Sequence, residues 1–477
     1  MPALLAGVFA LSVYRAATQS ITVDEAHTWN AFASQRLGGF LVDYYDANNH
    51  VLNSLLIALS VRLFGLSELA VRLPSLMGCG LYLVSSWRLA RLLFGNAGRD
   101  TAWSALVTAL LVTNPFSMDH FSLARGYGMA VGLMMTGVCD LVRDVQHRRS
   151  GNLYRAAVFC GLSVTANLTM VFPVTACAIA FVTMERGRAD LRRFWDEFAV
   201  PAVVIPFVIL IVPVSKAPAG AFYFGSPSLA KSIESVASQL FDHGTTIPGA
   251  VEPLRWLWEA VGPAWLALLT VSAAWALALA IQARRQNQLQ IRREGAFFGI
   301  VFLALFGLIT GAHFIAGLLY PLGRTALYFI PFGILTAAAT LYSFRARKLL
   351  RYGAAAMAGV WLAANAAQIE ASYYAEWRFD AGTKNVARYI QSHHRSARPL
   401  TIRASWFLLP SLEFYRSRYH LPGWQFIDDR GPADPHVDLW VLIPADAGKI
   451  GTLQLEPVFQ DRVSGTIVAE RGSAWLQ

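Results

Sequence analysis

Apolar runs long enough to cross a bilayer recur along the whole chain. An untilted membrane helix needs roughly 17–25 residues, and runs of this kind fall at 3–19, 73–90, 102–117, 126–142, 153–167, 169–184, 197–214, 258–281, 296–319, 325–343 and 353–369. They predict a mainly α, polytopic transmembrane helical bundle of about 11 crossings. Lys and Arg gather between the runs, in Arg88-Arg91-Arg99, Arg143-Arg148-Arg149-Arg155, Arg186-Arg188-Arg192-Arg193, Arg284-Arg285-Arg292-Arg293 and Arg345-Arg347-Lys348-Arg351. These clusters alternate with loops poor in both residues, as the positive-inside rule expects, so they belong on the cytoplasmic side together with the N-terminus. The loops 20–72, 115–125, 215–257 and 320–324 and the tail then face outward.

One segment tests that parity. Val51–Gly65 is apolar but short, contains Arg62, and is followed by the amphipathic LSELAVRLPS instead of a basic loop. Residues 51–72 are therefore expected to form interfacial helices within the first outer loop, with Arg62 and Arg72 snorkelling to headgroups. After Ala371 the pattern changes. YYAEWRFDAGTKNVARYIQSHH predicts an amphipathic helix opening at Asp380, and PLTIRASWFLLPSLEFYR with HVDLWVLIP supplies a short strand, a helix and a further strand. Residues 1–370 thus form a transmembrane domain and 371–477 a small C-terminal α/β outer domain with its own core.

Composition agrees with this reading. The chain of 477 residues is 55% hydrophobic and only 15% charged, with a mean hydropathy of +0.42, outside the range of soluble domains. A net charge of +10 in a soluble chain would point to nucleic acid. Here the basic residues report topology, and no nucleic-acid partner is expected. Cys79, Cys139, Cys160 and Cys177 all lie in apolar stretches without metal-ligand spacing, and read as small core residues. Met1–Tyr14 lacks a basic n-region and a small-residue cleavage site, so it reads as a first membrane helix and not a signal peptide. The chain has no Walker loop and no G-x-G-x-x-G.

The candidate chemistry begins at the adjacent carboxylates Asp24 and Glu25, just past the first apolar run. Carboxylates at a helix mouth are costly unless they meet water, a cation or a substrate. The plainer reading is a solvated helix start, with Asp24 as N-cap and Glu25 in the first turn. Parity gathers further polar groups on the same side: Tyr45, Asn49 and His50; Asp119 and His120 with Arg125 and Tyr127; Arg324; and His313. Each alone is explained as an interface anchor or a satisfied polar residue. A tandem Asp242-His243 in the loop 215–257 reads as solvent-exposed. Together, the gathered groups suit transfer from a lipid phosphate. Asp24 would take a proton from an acceptor as general base, and Arg125 and Arg324, with His50, would hold the departing phosphate. Tyr45, Asn49, His120 and Tyr127 would line the substrate cavity, beside apolar helices that hold a lipid tail.

These segments resemble the GT-C superfamily of integral-membrane glycosyltransferases, in particular the bacterial relatives of aminoarabinose transferases and protein O-mannosyltransferases. The matching pieces are Asp24-Glu25, LFGLSELAVRLPSLMG, NPFSMDHFSLARGYGM, YPLGRTALYFIPF and WRFDAGTKNVARYI, in order along nearly the whole chain. The resemblance implies inverting transfer of a sugar from a polyprenyl-phosphate donor to a lipid, glycan or protein acceptor. The reaction would take place at the extracytoplasmic face of a bacterial inner membrane. Asp24 would be the base, Glu25 a second acid or metal ligand, and Asp119 the acid of the second outer loop. The superfamily admits a divalent cation, although no convincing ligand set is visible in the sequence. The alternative is a transporter or lipid flippase that binds an anionic head-group without chemistry, and a second rival is a non-catalytic scaffold.

Overall fold

The computed structural model describes residues 1–35, 46, 48–95, 101–148, 151–184, 188–218, 220, 221, 224–241, 271, 274, 275, 278, 290–344, 347–394, 399–431 and 436–471. Pro2, whose fixed φ suits a first helical turn, opens α1 (Pro2–Thr18). The chain then bends by 69° into α2 (Val23–His27) and a π-helical turn, Thr28–Ala33. Helices α3 (Val51–Phe64) and α4 (Glu68–Ala90) follow, separated by Gly65 and capped at Ser67, whose side chain accepts from the Ala70 amide. The bundle continues with α5 (Thr101–Val112), α6 (Pro115–Ser122), α7 (Tyr127–His147), α8 (Asn152–Ala166) and α9 (Val171–Met184). It is completed by α10 (Arg188–Phe194), α11 (Val200–Ser215), α12 (Leu229–Phe241), α13 (Gln290–Ala316), α14 (Phe329–Ser343) and α15 (Lys348–Ala367).

Every predicted run except 258–281, which lies almost wholly outside the described residues, falls on a helix. Fewer than the expected 11 or so crossings are long and apolar enough among the described residues. Among the described residues four helices are long and apolar enough to cross a membrane, Glu68–Gly95, Asp190–Ser215, Ala296–Ala316 and Gly323–Ser343, or five if the bent pair Pro2–Thr18 with Val23–Ala33 is one span. The others fall short for visible reasons. Helix α5 stops where Asn114 turns to cap α6, α7 carries Asp140, Arg143 and Asp144, and the stretch around α8 and α9 is broken at Asn167, which caps a 3-10 turn. Apolar side chains of α11 such as Phe207 and Val208 stand 60% and 67% exposed, a surface suited only to lipid. The protein is an integral membrane protein.

The tail folds as expected in kind and with more strands than expected. A 3-10 segment, Ala375–Asp380, leads into α16 (Thr383–His393), then β1 (Leu400–Ala404), α17 (Leu409–Arg418), β2 (Trp424–Asp428), β3 (Leu439–Leu442), β4 (Leu455–Gln460) and β5 (Ile467–Arg471). The sheet order is β2-β1-β3-β5-β4, with β1 parallel to both neighbours and the last two strands antiparallel. The tail is not independent of the bundle. Val386, Ile390, Ile402, Leu412 and Tyr415 share one apolar core with Ile21, Ala26, Ile57 and Val71 from the other end of the chain.

The reading of 51–72 as interfacial helices needs correction in its second half. LSELAVRLPS is the start of the long helix α4, and Arg72, expected at headgroups, is fully buried. Its guanidinium grips Glu25 from Nε (2.8 Å) and Nη2 (2.7 Å) and donates to the carbonyls of Ala16, Gln19 and Ser20. These carbonyls lie at the open end of α1 and just beyond it, and Arg72 satisfies them. In α3 the expectation of exposure holds, with Leu63 and Phe64 66% and 68% exposed beside exposed Arg62.

Candidate functional site

Asp24 and Glu25 are neighbours on one helical turn, and adjacent helical residues do not share a face. The structure sends them in opposite directions. Thr22 and Glu25 form a capping box that fixes the turn. Glu25 points inward with no exposure, held by Arg72 and by the Ala124 amide at 2.7 Å. It does not reach the cavity, and its place there is that of an anchor for the loop. Asp24 points outward, 18% exposed, onto the wall of a cavity of about 340 Å³.

Around Asp24 the cavity is polar. Arg324 Nη2 lies 3.1 Å from Asp24 Oδ2, and its Nη1 lies 3.4 Å from Glu376. The guanidinium is bracketed by the rings of Phe224 and Trp377, at 5.1 and 5.3 Å, and meets the Tyr127 hydroxyl. Arg125 approaches Asp24 from behind, Nε to Oδ2 3.5 Å, but it is buried and does not line the cavity. Its remaining donors go to the Asp24 carbonyl, Thr28 and Asn48. Arg125 therefore props Asp24, and Arg324 alone of the two faces a ligand. Burial works against the ionised form of Asp24. Arg125, Arg324, His27 and a hydrogen bond with Trp377 outweigh burial and hold the carboxyl below its ordinary range.

Asn49, His50 and Tyr127 line the cavity, joined by Asn48, Asn167, Thr325 and Tyr328. Gly126, at φ 74°, makes the turn between Arg125 and Tyr127 possible, since a Cβ there would sit 2.8 Å from that of His50. Burial, then the charges of Arg125 and Arg324, push the His50 imidazole well below its usual range, so it is neutral at physiological pH. His50 Nε2, Asn49 Nδ2, Asn167 Nδ2 and Tyr328 Oη are buried on this wall without a hydrogen-bond partner among the described residues. Buried polar groups rarely stay unpaired, and these four belong to residues that line the cavity. Much of the remaining lining is apolar: Val51, Val164, Leu168, Phe172, Leu210, Ile309 and Leu319. Val171, Phe224 and Leu318 line the cavity while 43%, 47% and 40% exposed, so it is open to the surface beside exposed apolar side chains.

Besides Glu25 and Arg125, three candidate residues lie off the cavity wall. Asp119 is buried against Arg15 and accepts from the Ala375 amide at 3.1 Å, fastening α6 to α1 and to the start of the tail. His120 is packed among Phe116, Tyr127 and Trp377 behind the cavity. His313 leans on Tyr320, and the cavity wall takes its neighbour Ala312. Tyr45, Asp242 and His243 lie outside the described residues. Among the described residues no three His, Cys, Asp or Glu side chains are grouped to hold a metal ion.

Comparison with known proteins yields structures only. Neither a family model nor a curated protein matches the sequence. ArnT from Cupriavidus metallidurans bound to undecaprenyl phosphate is similar over 99% of this chain and 98% of its own, with a TM-score of 0.48 and 15% identity. The Archaeoglobus fulgidus oligosaccharyltransferase is similar over 94% of this chain and 69% of its own, at 0.49 and 14%. The arabinosyltransferase EmbB from Mycobacterium smegmatis is similar over 71% and 30%, at 0.43 and 13%. At this distance the function has to be read from the site itself.

Sequence reasoning missed Trp377 and Glu376, which touch Arg324 and, for Trp377, Asp24 as well. Their only signal was a Trp and an acid directly after the last apolar run, where the chain re-enters the Asp24 end. It also missed Asn167, whose polarity against apolar neighbours reads equally well as a helix stop.

Proposed function

We propose that this protein is a membrane glycosyltransferase that moves a sugar from a polyprenyl-phosphate donor to an acceptor at the extracytoplasmic face of a bacterial inner membrane, with inversion. The observation that carries the reading is one cavity, lined largely by apolar side chains and open at exposed apolar residues, in which Asp24 and Arg324 face each other. The isoprenoid chain lies along the apolar lining, its phosphate at Arg324, and the sugar against His50, Asn49, Asn167 and Tyr328. Asp24, ionised at neutral pH, takes the proton of the acceptor hydroxyl or amine as that atom attacks the anomeric carbon. The bond from that carbon to the phosphate oxygen breaks, and polyprenyl phosphate leaves with the electron pair, its charge met by Arg324. No step runs through a metal. Orientation follows the basic residues Arg88, Arg91, Arg143, Arg155 and Arg193, all at the end of the bundle away from Asp24. The transporter reading lacks comparable support, because the buried carboxylates Asp140 and Asp144 are paired with arginines at that same far end.

The test is turnover of polyprenyl-phosphate sugars by the purified protein in nanodiscs, following released polyprenyl phosphate by mass spectrometry. Wild type should release it, and Asp24→Asn should lose at least ~100-fold, the lower scale of a general base. Binding of polyprenyl phosphate without turnover, across a panel of lipid, glycan and peptide acceptors, would favour the transporter. Equal rates in both proteins would remove Asp24 as the base.

A further inference from the structure

A second cavity of about 470 Å³ lies between α4, α7 and the start of α8, away from Asp24. It owes its existence to a tight crossing. A Cβ on Gly78 would sit 2.3 Å from Met129 Cα, and one on Gly132 would sit 2.1 Å from the Gly78 carbonyl oxygen, so α4 and α7 touch there by backbone. Beyond that crossing the groove opens. Its α4 side is one stripe, Met77, Leu81, Val84 and Arg88, and its α7 side another, Thr136, Cys139, Asp140 and Arg143, each at helical spacing. The stripes grade from apolar to cationic. Met77 and Val84 are 58% and 41% exposed, whereas the far end holds Arg88, Arg143 and Arg155 around the single carboxylate Asp140.

The charge at that end does not balance. Asp140 is matched by Arg143 at 3.3 Å and Arg155 at 3.2 Å, and Arg88 makes no hydrogen bond or ion pair among the described residues. Three guanidiniums against one carboxylate leave a formal +2. From Met77 to Arg88 the groove runs about 16 Å at the helical rise per residue, which is about half of the ~30 Å bilayer core. A hydrophobic channel one leaflet long that ends in unbalanced arginines has the shape and charge of one acyl chain with a phosphate head.

We propose that this groove binds one anionic phospholipid from the leaflet opposite the Asp24 cavity. The acyl chain lies along Met77, Leu81 and Val84, and the phosphate bridges Arg88 and Arg155, with Asp140 holding the inner arginine in place. The site is separate from the reaction at Asp24 and does not depend on it. Scattered surface arginines attract anionic headgroups in general, and the proposal differs in requiring one saturable site.

The experiment is native mass spectrometry of the full chain in detergent, titrated with phosphatidylglycerol or phosphatidylcholine of the same acyl chains. One phosphatidylglycerol should be retained in preference to phosphatidylcholine. The Arg88→Ala/Arg155→Ala double variant should weaken it on the order of thirtyfold, from the worth of two near-surface cations. Val84→Trp, which fills the groove and leaves every charge in place, should also abolish retention. Arg91→Ala, an exposed arginine at the same end outside the groove, should change nothing. If the double variant does not fold, Val84→Trp and Arg91→Ala decide alone. Equal retention of phosphatidylcholine, loss in Arg91→Ala as large as in the double variant, full retention in Val84→Trp, or displacement of the lipid by inorganic phosphate would each overturn the proposal.

Discussion

Asp24 and Arg324 form an ion pair, and in the proposed reaction a donor phosphate arriving at Arg324 competes for the same guanidinium. As the phosphate takes up the cation, the carboxylate keeps Arg125 but loses one of the cations that depress its pKa, and becomes a stronger base. Arg324→Gln should therefore raise the acid limb of the pH–rate profile relative to wild type, while lowering the rate by roughly 10²-fold through loss of a transition-state cation. A rate loss with an unmoved acid limb would separate the two roles. Arg324→Lys should rescue only part of the rate, since an ammonium cannot span Asp24 and Glu376 or fill the slot between Phe224 and Trp377 in the same way. The acidic pair was legible in the sequence, and its division of labour was not. Which of two adjacent carboxylates turns inward is decided by Arg72, distant in sequence, and Arg72 had an equally good reading as a headgroup anchor. Arg125 was misread for a related reason, because an Arg beside a turn gives no sign of whether its donors go to ligand or to backbone.

At the scale of elements, the Glu25–Arg72 pair joins the α1–α2 bend to α4. Removing one partner of a fully buried pair leaves a charge uncompensated and typically costs about 3–5 kcal/mol, so Glu25→Gln should lower the thermal unfolding temperature markedly. The Glu25→Leu/Arg72→Met combination should recover part of that loss, as read by thermal shift in detergent. The crossing of α4 and α7 makes a sharper demand. Gly78→Val places methyl groups where Met129 backbone already stands, and no flexible side chain is there to yield. Little folded protein should survive it by size-exclusion chromatography. Helix positions were readable from hydropathy because each crossing must hide its own backbone. Helix ends and crossings were less so. The break at Asn167 was visible, but the early start of α4 at Ser67 was masked by an amphipathic stretch that an interfacial helix would share, and a glycine in an apolar run does not name the helix it will touch.

Over the whole molecule, the tail is fastened to the first loop and to α4 by several polar contacts beside their shared apolar core. Asp380 accepts from the Val23 amide at 2.6 Å and from Ser411 at 3.0 Å, while Lys384 Nζ lies 3.0 Å from Glu68. Burial, with the nearby charges of Asp24 and Glu25, raises the Asp380 pKa to about 8. The folded state thus keeps a proton that the unfolded chain releases above pH ~4, and stability should fall as pH rises from there to about 8. Asp380→Asn should flatten that slope in unfolding measured across the range. The tail's existence and mixed α/β character were legible, while the second, fourth and fifth strands were not, because short strands pair with partners far along the chain. In the proposed reaction the donor reaches the Asp24 cavity from the membrane, which has a kinetic consequence. A donor that arrives this way is encountered per unit of membrane area and not per litre, so the half-saturating amount of donor should scale with total lipid or detergent when bulk concentration is fixed. Diluting the donor with inert lipid should slow the enzyme as surely as removing it, and the spent carrier, confined to the same plane, should act as a competitive inhibitor that no volume of buffer washes away.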